Sequence, residues 1–260
     1  MQVTVILAFI VSLLIQVGYP LGVILLYRRR AQTTWAPFFY GALVFAVFQM
    51  FTWLPFSAFV EVGWGERVST AQGAFVWLMA MAALTALVEE GGRALGYRYL
   101  FPRNDLRLTW RNGVAYGLGH NALETMWLIA GLTFVSFIAY LLAGPFVAAG
   151  AADAPGASSQ ALLAVGNVSW RQPVIVALER VFALPHQVAW ALLVMESQVS
   201  RQKRWFGFAF LYHTSIAVII PGLGRLSGFV LAEGVNLIFA VLSLWIILKL
   251  RQISAQRDQD

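Results

Sequence analysis

The chain has 260 residues, of which 60% are hydrophobic and only 12% charged, with a formal net charge of +6. Soluble domains carry about 25% charged residues, so the composition excludes a water-soluble single domain. Cysteine is absent, which excludes disulfides, thiolate catalysis and Cys-ligated metal.

Apolar runs long enough to cross a hydrocarbon core of about 30 Å recur along the whole chain. The first, Val3 to Tyr27, follows no positive n-region and no small-residue cleavage site, so Met1 to Pro20 reads as a retained span. Further spans are expected at Ala36 to Val62, Thr70 to Gly96, Asn112 to Leu142, Gln172 to Val199, Trp205 to Ile220 and Gly228 to Leu250. This predicts an all-α polytopic bundle of about seven transmembrane helices. A single integral membrane domain over 1–260 is expected, with its motif-bearing helices at about 70–220. The connection at about 143–171 is rich in Ala, Gly and Ser, with Pro145 and Pro155, and reads as a flexible outer loop.

The basic residues fall unevenly between these spans. Arg28, Arg29, Arg30, Arg98, Arg103, Arg107, Arg111, Arg201, Lys203, Arg204, Lys249, Arg251 and Arg257 share one side, against Arg67, Arg171 and Arg225 on the other. That asymmetry places the N-terminus outside and the C-terminus in the cytoplasm. It also explains the basic excess without nucleic acid. The expected location is the plasma membrane, as a multi-pass protein whose partners are the lipid bilayer and a membrane-embedded or lipidated peptide.

Ionisable residues remain inside the spans: Glu89, Glu90, Arg93, His120, Glu124, Glu179, Arg180, His186 and His213. Each costs on the order of 2.5 to 3.5 kcal/mol on insertion scales and normally faces a bundle interior or a wet cavity. At 1.5 Å per residue, Glu90 lies about 12 Å from Arg98, and His120 and His213 each lie about 13 Å inside the basic starts of their helices. His186 is about 15 Å deep by the same measure, counted from Glu196. Four helices therefore bring polar groups to one level. Glu89 and Glu90 precede Arg93 by four and three residues, His120 and Glu124 are one turn apart, and Glu179 is two turns before His186. Glu124 and Glu179 are candidates for outer support of the site or for an ion pair with Arg180.

No HExxH or GxSxG motif is present, which argues against a standard zincin or a serine peptidase. Two adjacent carboxylates, an arginine and three imidazoles suit water activation, with one carboxylate as general base and imidazoles donating to an oxyanion. The same imidazoles with a carboxylate, His120, His186, His213 and Glu90, can instead hold Zn with a position open for water. Gly113, Gly117 and Gly119 fit close helix packing before His120, and Gly91 with Gly92 are read as loosening the third helix.

The run Glu89-Glu90-Gly91-Gly92-Arg93, then Gly117 to Glu124 including His120 and Asn121, then Glu179-Arg180 with His186, and finally His213 resembles the YhfC family of intramembrane metalloproteases. More distantly it resembles the glutamate-type CAAX prenyl endopeptidase and bacteriocin-processing (Abi) group. The resemblance covers about Glu89 to Ala217. It implies a water-activating Glu89 or Glu90, oriented by Arg93. It further implies that His120 and His213 bind an oxyanion or a metal, that His186 completes the site, and that Asn121 and Glu124 lie around it. Arg93 follows Glu90 after two residues where the CAAX group has three, and Ala217 stands where that group has Asn or Asp; both departures favour the YhfC-like reading.

The expected function is an intramembrane peptidase that hydrolyses a peptide bond of a membrane-embedded or lipidated substrate in the cytoplasmic half of the bilayer. The same cavity also fits a non-catalytic binding or immunity protein. A proton-coupled transporter would share the intramembrane Glu, His and Arg, but the inverted repeat typical of that class is not visible.

Overall fold

A computed structural model of the chain describes residues 2–65, 68, 70–148 and 166–257. Among these residues, seven helices long and apolar enough to span a membrane run in chain order: α1 (Val3–Ala31), α2 (Ala36–Trp64), α3 (Ala71–Asn104), α4 (Trp110–Ala143), α5 (Arg171–Val199), α6 (Lys203–Ser227) and α7 (Phe229–Arg257). No strand occurs among the described residues. The seven expected spans are all present in an all-helical, multi-pass membrane protein. Arg67 and residues 149–165 of the expected outer loop lie outside the described residues.

The helix ends follow local chemistry. Thr70 and Thr109 cap α3 and α4, their hydroxyls accepting from the backbone N–H of Gly73 at 3.0 Å and Asn112 at 3.3 Å. Left-handed backbone at Gln32 (φ 51°), Asp105 (φ 52°) and Arg201 (φ 55°) turns the chain after α1, α3 and α5. Helix α6 extends to Ser227 and passes through Pro221, seven residues beyond its expected end. Membrane helices tolerate an internal proline because neighbouring groups satisfy the freed carbonyl, and the stop comes at Gly228, with φ 82°. Helix α7 runs on to Arg257, whose guanidinium donates to Glu196 Oε1 at 2.5 Å.

Three helices contain wide π-type turns, at Phe45–Trp53 in α2, Gly96–Leu100 in α3 and Glu124–Ile129 in α4. Such turns shift helical phase and are frequent at functional positions.

The chain divides into two compact units, Val23–Glu124 with Phe182–Asp260, and Met1–Gly22 with Thr125–Val181. In the second of these, Val5, Phe9 and Tyr140 form the core, with Phe9 stacked on Phe137 at 5.1 Å. There Ser12 Oγ donates to the Pro173 carbonyl at 2.7 Å and accepts from Gln16 Nε2 at 2.8 Å.

In the Val23–Glu124 and Phe182–Asp260 unit, the first part of α2 packs along the first part of α4, α3 packs on α6, and α6 on α7. Glycine makes the α2–α4 crossing possible. A Cβ at Gly119 would overlap the Phe38 carbonyl, and one at Gly41 would overlap the Tyr116 carbonyl. Gly117 likewise faces Val188 Cα on α5 at 2.8 Å from a notional Cβ, and Gly113 faces Met195 Sδ at 2.7 Å. The expected small-residue packing before His120 is therefore present. Gly92 also serves packing, against the Phe48 ring, whereas Gly91 meets nothing within 4 Å.

Candidate functional site

Helix α3 brings Glu89, Glu90 and Arg93 inward on one face because they are spaced by three and four residues. All three are buried, Glu90 and Arg93 completely. A lone buried charge is prohibitive, but a guanidinium forked between two carboxylates offsets much of that cost. Arg93 Nη2 donates to Glu89 Oε1 at 2.7 Å, and Arg93 Nη1 donates to Glu90 Oε1. Arg93 Nη2 also reaches the side-chain carbonyl of Gln187 on α5.

Glu89 is the meeting point of five helices. Its Oε1 pairs with His120 Nε2 of α4 at 2.8 Å and accepts from Gln187 Nε2 at 3.3 Å, while its Oε2 accepts from Gln49 Nε2 of α2 at 2.8 Å. From α6, His213 Nε2 lies 3.5 Å from Glu89 Oε2, and His213 Nδ1 pairs with Glu90 Oε1 at 2.7 Å. Gln187 Nε2 also donates to Glu124 Oε2 at 2.5 Å. Phe45 packs edge-on against His120 at 5.2 Å, and the Trp190 indole stacks on His213 at 3.8 Å with an interplanar angle of 8°.

Glu89, Glu90, Arg93, His120, Glu124 and His213, each singled out from the sequence, thus meet in one group. Asn121 is buried beside His120 on α4. His186 faces α7 instead: its Nδ1 is 2.8 Å from Ser243 Oγ and its Nε2 3.1 Å from Asn236 Oδ1. Glu179 and Arg180 belong to the other unit, where they line a cavity of about 410 Å³ with Thr133, Ser136 and Gln172.

Two residues of the group escape a search confined to ionisable side chains, namely Gln49 and Gln187, both 4% exposed. Their signal in the sequence is an amide inside an apolar span, which needs partners as a charge does. Gln187 is one residue from His186 and therefore about 100° around the helix, which turns it toward the carboxylates.

The donor set fits a metal ion. Glu89, His120 and Glu124 each offer one ligand atom, and these atoms all lie within 4.8 Å of one another. Among the described residues, His120 Nδ1 and Glu90 Oε2 are buried with no hydrogen-bond partner. Glu89 and Glu90 share the Arg93 guanidinium and Glu124 accepts from the Gln187 amide, an oxygen-rich surrounding that suits a divalent cation. Carboxylate and imidazole ligands suit Zn²⁺ and other first-row divalent ions.

The fold and the site together define a multi-pass membrane protein with a buried carboxylate–imidazole centre able to accept a metal. The chain belongs to the YhfC intramembrane metalloprotease family, whose model it matches over residues 11–239. It is also similar to the uncharacterized membrane protein YhfC of Bacillus subtilis (strain 168), with 27% identity over 244 residues, covering 90% of this chain and 92% of that protein. No solved structure matches it.

Proposed function

We propose that the protein is an intramembrane metallopeptidase of the plasma membrane that hydrolyses a peptide bond in a membrane-embedded or lipidated substrate. The basic ends of α1 and the 98–111 connection support a site toward the cytoplasmic face. The observation that carries the reading is the convergence of Glu89, His120 and Glu124 on one point, around a carboxylate held by Arg93 of its own helix and by donors from two others.

Glu89, His120 and Glu124 would hold a divalent ion, zinc being the first candidate. Such an ion supplies Lewis acidity, polarising the scissile carbonyl and lowering the pKa of water. The remaining chemistry belongs to the chain. Arg93 anchors both carboxylates of α3, and the amides of Gln49 and Gln187 fix the direction of Glu89 and Glu124. Glu90, fully enclosed, accepts from His213 Nδ1. His213 Nε2 lies 3.5 Å from Glu89 Oε2, where it is placed to exchange a proton between water and the leaving amine. Glu124 is the least buried member of the group, Glu89 and His213 are at 5% and 6% exposure, and Glu90 is at 0%. The water and the substrate carbonyl therefore approach from the side of Glu124, Glu89 and His213, and Glu90 acts through His213.

The test compares cells carrying the wild type or Glu89→Gln. Membrane-protein N-termini that appear only with the wild type, together with stoichiometric divalent metal in the purified wild type and none in the variant, are expected. Identical N-termini in the two strains, with both proteins inserted and folded, would overturn the reading.

A further inference from the structure

His186 is buried, ionisable and outside the group around Glu89, and each of its ring nitrogens has a partner on α7. Glu233 Oε2 accepts from Asn236 Nδ2 at 3.2 Å, which turns Asn236 Oδ1 toward His186. A carbonyl oxygen can only accept, so His186 Nε2 donates to it at 3.1 Å. The other ring nitrogen, Nδ1, is 2.8 Å from the Ser243 hydroxyl. Tyr212 Oη donates to the Phe239 carbonyl at 2.7 Å and lies 2.8 Å from Ser243 Oγ. Glu233, Asn236 and Ser243 lie along one face of α7, at spacings of three and seven residues. With a partner on each ring nitrogen, the His186 ring has one orientation.

That orientation is passed on. Trp190 stands one turn after His186 on α5, and the two rings stack at 5.8 Å with an interplanar angle of 27°. The indole also stacks on His213, at 3.8 Å and 8°, and Arg93 lies 5.7 Å from the same ring centre. Trp190 is 5% exposed, so it has little room to tilt. His213 in turn has Nδ1 on Glu90 and Nε2 beside Glu89. Rotation of the imidazole out of that plane would break both contacts.

We propose that His186 and Trp190 are positioning residues for His213: the Glu233–Asn236–His186–Ser243–Tyr212 chain locks the His186 ring against the indole, and the indole holds the His213 ring in the plane that joins Glu90 to Glu89. This rests on the reading of His213 as the proton-carrying imidazole. It assigns His186 no ligand role, because both of its ring nitrogens are engaged by α7. The class of reaction is unchanged; what is added is a polar clamp on α7 that sets the geometry of a residue on α6 through an aromatic plate on α5.

The protein has three histidines, so ¹⁵N,¹³C-histidine labelling of the full chain in detergent micelles resolves each ring without any substrate. The wild type should show His186 protonated at Nε2, His213 protonated at Nδ1, and His213 ring protons shifted upfield by the stacked indole. Ser243→Ala, three contacts removed from His213, should weaken the His213 upfield shift and admit its second tautomer. Trp190→Phe should give a partial loss and Trp190→Leu a complete one. Bound metal should stay at the wild-type level in Ser243→Ala and in His186→Leu. Where turnover is measured, kcat should fall about tenfold to a hundredfold with KM little changed, the scale expected when a reacting group is misplaced by about 1 Å. Unchanged His213 resonances in both Ser243→Ala and Trp190→Phe would overturn the proposal, as would loss of metal in His186→Leu. Because the resonances are read in resting protein, the positioning proposal stands or falls separately from peptidase activity.

Discussion

Replacing Arg93 by methionine tests whether the group around Glu89 is held together by charge. The guanidinium is fully buried and bonds Glu89, Glu90 and Gln187. Methionine fills a similar volume but leaves two neighbouring carboxylates uncompensated, and removing one partner of a buried ion pair costs about 3 to 5 kcal/mol. Arg93→Lys keeps the charge but loses the planar fork. At about 1.5 to 3 kcal/mol for each charged hydrogen bond lost, it should fall between Arg93→Met and the wild type. Unfolding in mixed micelles, followed by circular dichroism with and without added divalent ion, measures both. The ion should stabilise Arg93→Met more than the wild type, because the variant's group is more negative by one charge. Stability of Arg93→Met within about 0.5 kcal/mol of the wild type, the range of ordinary surface changes, would refute the reasoning, since the carboxylates would then carry no charge in need of a partner.

Other outcomes follow from the same geometry. His120→Ala and Glu124→Gln should each abolish stoichiometric divalent metal in the purified protein, read by elemental analysis, and chelator-treated wild type should regain one equivalent. Gly119→Ala should destabilise by about 1 to 3 kcal/mol through overpacking, because the new methyl group would meet the Phe38 carbonyl. Gly91→Ala should instead be neutral or stabilising by up to about 1 kcal/mol from helix propensity, since nothing lies within 4 Å of that position; thermal unfolding in detergent separates the two. His213→Asn should retain the metal while losing turnover, and loss of metal in that variant would make His213 a ligand.

Hydropathy and length were sufficient for the seven spans, because a membrane helix must satisfy its backbone internally and present apolar side chains over its whole length. The same rule made Glu89, Glu90, Arg93, His120 and His213 legible as one group: a charge in an apolar span needs partners, and their depths along the helices coincide. What the sequence could not carry was the rotation of each helix about its axis. His186 and Gln187 are adjacent and equally deep, and only the packing of α5 between its neighbours turns Gln187 to the carboxylates and His186 to Asn236 and Ser243. The wide turns at Phe45–Trp53 and Glu124–Ile129 add to the difficulty, because each displaces the residues beyond it from ideal 3.6-residue phase. Composition and periodicity thus determine which residues must find partners within the bilayer; the choice of partner depends on close approaches such as Gly119 against Phe38, which exist only once the helices are packed.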